Sequence, residues 1–153
     1  MNRDFQSPST QLPELRRRLL VVAVVFVLTQ LAYCFVGYFL LDKMRDTTPR
    51  EADHGIVVLA LLFVAVSSLT ASFVVVSAVA RQTAADAAQS LSKQLIIGCA
   101  LSETPAIVGL VLCFLGSKLA VLVVLAGLSA AAIVGHYLRV CARLETLEHG
   151  SSL

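Results

Sequence analysis

The stretch Leu95–Leu115, LIIGCALSETPAIVGLVLCFL, decides how the rest of the chain is read. As a helix it is long enough to cross the ~30 Å hydrocarbon core of a bilayer. It holds one carboxylate, Glu103, and one proline, Pro105, near its middle. A carboxylate at that depth is expensive unless it is partnered or neutral. Three further apolar runs, Leu19–Leu41, Gly55–Ala80 and Leu119–Tyr137, contain no Asp, Glu, Lys or Arg. The expected fold is all-α, a polytopic membrane protein with four transmembrane helices and both termini cytoplasmic.

Composition agrees. Of the 153 residues 58% are hydrophobic and only 14% charged, too little polar surface for a soluble domain. The whole of 1–153 is read as a single membrane domain. The basic residues gather at the ends of the apolar runs without interleaved aromatics, so no nucleic-acid partner is expected. Cys34, Cys99, Cys113 and Cys141 form no C-x-x-C pair, which points away from a zinc site or a disulfide framework. His54, His136 and His149 fall at or beyond the ends of the runs and are expected to be interfacial or solvated rather than ligands. Neither a metal nor a cofactor is implied. The absence of G-x-S-x-G, H-E-x-x-H and P-loop motifs argues against a conventional enzyme.

Along the chain, residues 1–18 read as a cytoplasmic tail. The polar stretch Met1–Glu14 is expected to be flexible, and Arg16-Arg17-Arg18 abuts the first apolar run. That run is too long for a signal-peptide core and has no small-x-small cleavage site after it, so it is a retained span. Asp42–His54 is a charged loop. The second span, Gly55–Ala80, is broken up by Ser67, Ser68, Thr70 and Ser72, whose hydroxyls can bond back to their own helix. Arg81–Gln94 is polar, rich in alanine and free of glycine and proline. It is expected to continue the flanking helices around a short turn. Gly116-Ser117-Lys118 turns the chain into the fourth span, and residues 138–153 read as a second cytoplasmic tail.

Orientation follows from the cations. Arg3, Arg16, Arg17, Arg18, Arg81, Lys93, Arg139 and Arg143 fall on one side, against Lys43, Arg45, Arg50 and Lys118 on the other. The richer side is cytoplasmic by the positive-inside rule. An integral, multi-pass protein of a bacterial inner membrane is the expected localisation. The lipid bilayer is its expected partner, together with further copies of the chain or other membrane subunits.

At ~1.5 Å rise per residue, Glu103 lies roughly 12 Å into its span. Thr70, Ser72, Gln30 and Ser129 come to about 12–16 Å from the same face. The strongest polar groups of the four spans thus share one layer, and Ser102, Thr70, Ser72 and Gln30 are candidate partners of Glu103. Ser102, Ala106, Gly109, Cys113 and Gly116 form a small-residue stripe on the third span, with Glu103 about 100° from Ser102 at its edge. Gly127, Ala131 and Gly135 form a second stripe on the fourth, and both are expected to serve packing. Pro105 cannot donate to the carbonyl of Leu101. It either merely bends the helix or leaves an acceptor beside the carboxyl group.

The segment Ala100–Leu112, ALSETPAIVGLVL, resembles the carboxylate helix of the proteolipid c subunit of rotary ATP synthases. That helix has a carboxylate after an Ala-Leu pair and a glycine six residues further on. Glu103 and Gly109 match these, and Ala80-Arg81-Gln82 resembles the Ala-Arg-Gln that opens the family's cytoplasmic loop. The resemblance covers about Gly55–Gly116. It implies that Glu103 binds and releases a proton, and that Arg81 and Gln82 meet the central stalk. Two readings therefore stand: a proton- or ion-binding membrane protein using Glu103, and a non-transporting scaffold in which Glu103 serves packing or pairs with another subunit.

Overall fold

The structure is a computed structural model that describes residues 8–44, 55–82 and 87–150, without the side chains of 8–12, 41, 44, 80–82, 87–89 and 147–150. Four α-helices account for almost all of it: α1 (Pro8–Met44), α2 (Gly55–Gln82), α3 (Ala87–Phe114) and α4 (Leu119–Gly150). Each contains a stretch long and apolar enough to cross a membrane. Helix is the form that lets such a segment satisfy its own backbone polar groups in lipid. Among the described residues there is no strand. The turn between α3 and α4 closes on Gly116, whose φ of 85° is open to glycine at little cost. Ser117 N–H donates to Leu112 O at 2.9 Å and Gly116 N–H to Cys113 O at 3.0 Å, a Schellman ending that satisfies the last carbonyls of α3.

The helices outrun the apolar stretches. α1 begins at Pro8, so residues 8–18 are helical rather than a flexible tail. Proline suits a first helical position because its missing N–H has no partner there anyway. α4 continues through residues 138–150, also expected to be a tail. Its extension is held by burial of Val140, Cys141 and Leu144 and by a polar chain from α3. In that chain Arg143 Nη1 donates to Gln94 Oε1 at 2.8 Å, and Gln94 Nε2 to Ser90 Oγ at 2.9 Å. α2 reaches Gln82 and α3 starts at Ala87, so most of Arg81–Gln94 is helical, with 83–86 outside the described residues.

α3 is the central helix and touches all three others. α1 packs on α3 and α4, and α2 packs on α3 with slight contact to α4. Among the described residues α1 and α2, neighbours in sequence, do not meet. Two apolar clusters result. Leu19 and Ala23 of α1 join Leu91, Leu95, Cys99, Ile133, Val140 and Leu144 in one. Ala65 of α2 joins Val108, Leu112 and Leu125 in the other.

Contacts at glycines fix the register. A Cβ on Gly109 would lie 3.0 Å from the Leu122 Cα, the close approach that a small-residue stripe permits. Gly98 faces His136 and Val76, and Gly37 packs on Leu122. The stripe of α3 thus meets α4 at Gly109, against Leu122 and Leu125. The stripe of α4 does not face inward: no atom lies within 4 Å of a Cβ placed on Gly127 or Gly135, and Gly127 and Ala131 are exposed. Among the described residues nothing packs closely on it, because the inner face of α4 is the seam Leu122, Leu125, Ser129, Ile133, His136 and Val140.

Candidate functional site: a carboxyl on the open face of α3 and a buried polar chain

On α3 the exposed residues Ile96, Ala100, Ile107, Val111 and Phe114 repeat every three to four positions and form one stripe. Glu103, half-buried, stands in the middle of that stripe. Cys99, packed towards α1, borders it on one side, and Val108, packed towards α2, on the other. The stripe is the face of α3 left open because α1 and α2 stay apart. Tyr33 of α1 and Cys99, one turn earlier on α3, lie near Glu103. Among the described residues Glu103 takes part in no hydrogen bond or ion pair; the Arg18–Glu14 salt bridge, at 2.7 Å, lies on the surface of α1. Pro105 is buried and α3 remains helical through it.

Of the four candidate partners, two come together. Ser102 Oγ donates to Ser72 Oγ at 3.4 Å, and both side chains are fully buried. Ser102 is therefore turned into the bundle, about 100° around the helix from Glu103. Thr70 is exposed and its hydroxyl donates to Val66 O at 3.1 Å. Two residues apart on a helix means about 200° apart, so with Ser72 inside Thr70 must face out. Gln30 is 3% exposed; its Nε2 donates to Phe26 O at 3.2 Å and its Oε1 is buried with no partner among the described residues. Arg81 and Gln82 end α2, and their side chains lie outside the described residues.

The principal member of the buried cluster is one that sequence reasoning placed elsewhere. His136, expected to be interfacial or solvated, is 1% exposed. Its Nε2 lies 3.1 Å from Ser72 Oγ, and its ring stacks on Phe73 with centroids 4.5 Å apart. The Arg139 guanidinium covers Phe73 at 4.9 Å. The expectation failed because the apolar run stops at Tyr137 whereas α4 continues for three more turns, which places His136 well inside it. Its position on the Leu122–Val140 seam, seven residues from Ser129, was the available signal. His54 lies outside the described residues, as does the side chain of His149.

The glycine contacts also set the levels of these groups. Counting turns from Gly98–His136 and Gly109–Leu122, Ser129 is level with Ser102–Pro105. Counting from Gly37–Leu122, Gln30 is level with Ser129. One layer thus holds Gln30, Ser72, Ser102, Glu103 and Ser129, one or more from each helix. In this layer Ser129 Oγ and Gln30 Oε1 are buried with no partner among the described residues, and the same holds for His136 Nδ1 next to it. The arrangement can bind a proton at an outward carboxyl and, separately, support a hydrogen-bonded chain inside the bundle.

Comparison with known proteins finds no matching family model, no matching curated protein and no matching solved structure.

Proposed function

We propose that this chain is an integral membrane protein that binds and releases a proton through Glu103. The supporting observation is the place of that carboxyl: mid-span, on the open face of α3, flanked by Ile96 and Ile107, with no bonded partner among the described residues. A carboxyl facing lipid is held neutral, and one facing water ionises. A group that can meet both environments exchanges a proton between them. The c-subunit-like segment Ala100–Leu112 supports the same assignment, with both termini in the cytoplasm and the protein in a bacterial inner membrane. Oligomer formation, or association with other membrane subunits, would bring a second surface to the open face.

The same unpartnered carboxyl also favours a second reading, a non-transporting scaffold in which a donor on a neighbouring subunit's helix pairs with Glu103. Proton flux into liposomes separates the two. Under the first reading Glu103→Gln abolishes the flux seen with the unaltered protein, and a hydrophobic carbodiimide labels Glu103 faster as pH falls. Equal flux from both proteins, with no labelling at any pH, removes it.

A further inference from the structure

We infer that His136 is a second proton-binding site, with Nδ1 as the atom that takes the proton, joined by Ser72 and Ser102 to the layer of Glu103. As a link to Glu103 it rests on the function proposed above; as a proton site it stands on its own geometry. Ser72 Oγ donates to Leu69 O at 2.7 Å, which commits the single proton of that hydroxyl. Towards Ser102 and His136 it can then only accept. Nε2 of His136, 3.1 Å away, must therefore carry a hydrogen. In the neutral ring that leaves Nδ1 as a bare lone pair, and Nδ1 is the ring atom buried without a donor.

A buried basic nitrogen without a donor costs free energy that a paired one does not. An apolar residue at this position would avoid that cost, yet the surroundings are shaped to the ring. Gly98 leaves it room: a Cβ there would come within 2.9 Å of its Cγ. Phe73 covers one face. The charged group whose field reaches the ring is Arg139, on its own helix. From α2 the ring meets Ser72 and Phe73 and from α3 Gly98, all uncharged, while Arg16 of α1 engages Tyr137 instead.

The balance is simple. A hydronium delivers a proton to Nδ1 and becomes water, giving an imidazolium whose two N–H groups are both donors. Release returns the proton from Nδ1 to water and restores the neutral Nε2–H ring, while Nε2–H, Ser102 and Ser72 go on donating as before. One proton enters and one leaves.

The test is the nitrogen NMR spectrum of the imidazoles of the full chain in lipid bilayers, with the His136 signals identified by their loss in His136→Gln. The expected result is an Nε2–H tautomer at high pH that becomes doubly protonated as the pH is lowered. In Ser72→Ala the fixed tautomer is lost while the helix content stays unchanged. An Nδ1–H tautomer at high pH, or a ring that stays neutral down to about pH 4, overturns the inference. Liposome flux is measured in parallel. Flux lost in Glu103→Gln and altered in pH dependence by His136→Gln supports the link. Flux with an unaltered pH profile in His136→Gln overturns the link. Absence of any Glu103-dependent flux removes the function proposed above and leaves the titration to decide His136 by itself.

Discussion

At the scale of single residues, the difference between Thr70 and Ser72 shows what helical geometry does to a polar side chain in a membrane protein. Both hydroxyls bond a carbonyl of their own helix, Val66 O and Leu69 O, so neither is left unsatisfied. Only Ser72 also accepts from two other helices, through Ser102 and His136. Interhelical hydrogen bonds in membrane proteins average about 0.6 kcal/mol and reach about 1.7. Ser72→Ala should therefore lower stability by about 0.6–1.7 kcal/mol, towards the upper figure because it strands Nε2 of a buried histidine. Thr70→Val removes a hydroxyl that faces outward and should change stability by less than about 0.5 kcal/mol. Reversible unfolding in mixed micelles measures both, and equal effects would contradict the inward position of Ser72.

At the scale of elements, the pairing of α3 with α4 depends on Gly109. Its hydrogen takes the place of a side chain 3.0 Å from the Leu122 Cα, which is backbone and cannot swing aside. Overpacking of this kind costs about 1–3 kcal/mol. Gly109→Val is expected to lie at or beyond the upper end, since β-branching adds bulk at the contact. Gly127→Val, on the open side of α4, should cost far less. Thermal unfolding in one detergent tests the contrast.

These elements also show what the sequence could reveal. Four long apolar stretches left no alternative to four helices, and the small-residue stripe of α3 correctly marked a close approach at Gly109. The stripe of α4 had the same spacing and faces outward, because composition records that a helix can be approached and not which side is approached. The shared polar layer was legible from rise per residue, since depth depends only on counting. Which members meet depends on rotation about each helix axis, and only packing sets that. His136 was missed for a related reason. Hydropathy marks where lipid-like composition ends, whereas α4 goes on as helix under the hold of Leu144 and the Arg143–Gln94 contact.

For the whole molecule, the decisive property is that α1 and α2 lie on opposite flanks of α3. Helices joined by a short connection usually pack side by side, and a closed ring of four would bury the stripe that carries Glu103. Here α4 takes the place beside α1 that α2 would fill, and the carboxyl stays at the surface of the bundle. This can be measured in a chain whose four free thiols, Cys34, Cys99, Cys113 and Cys141, are replaced by alanine. Gly37→Cys with Leu122→Cys joins α1 to α4 where the two helices touch and should form a disulfide readily under mild oxidation. By the same registers Val36 is level with Val64, and Tyr33 with Ser67, across the α1–α2 gap. Cysteines at either of those pairs should remain reduced within one chain. Crosslinks at these positions that double the mass would mean that a neighbouring copy occupies the open face. A crosslink that leaves the mass unchanged would mean that α1 and α2 close over α3. Glu103 would then be a packing residue, and its exchange of a proton with the outside would lose its route.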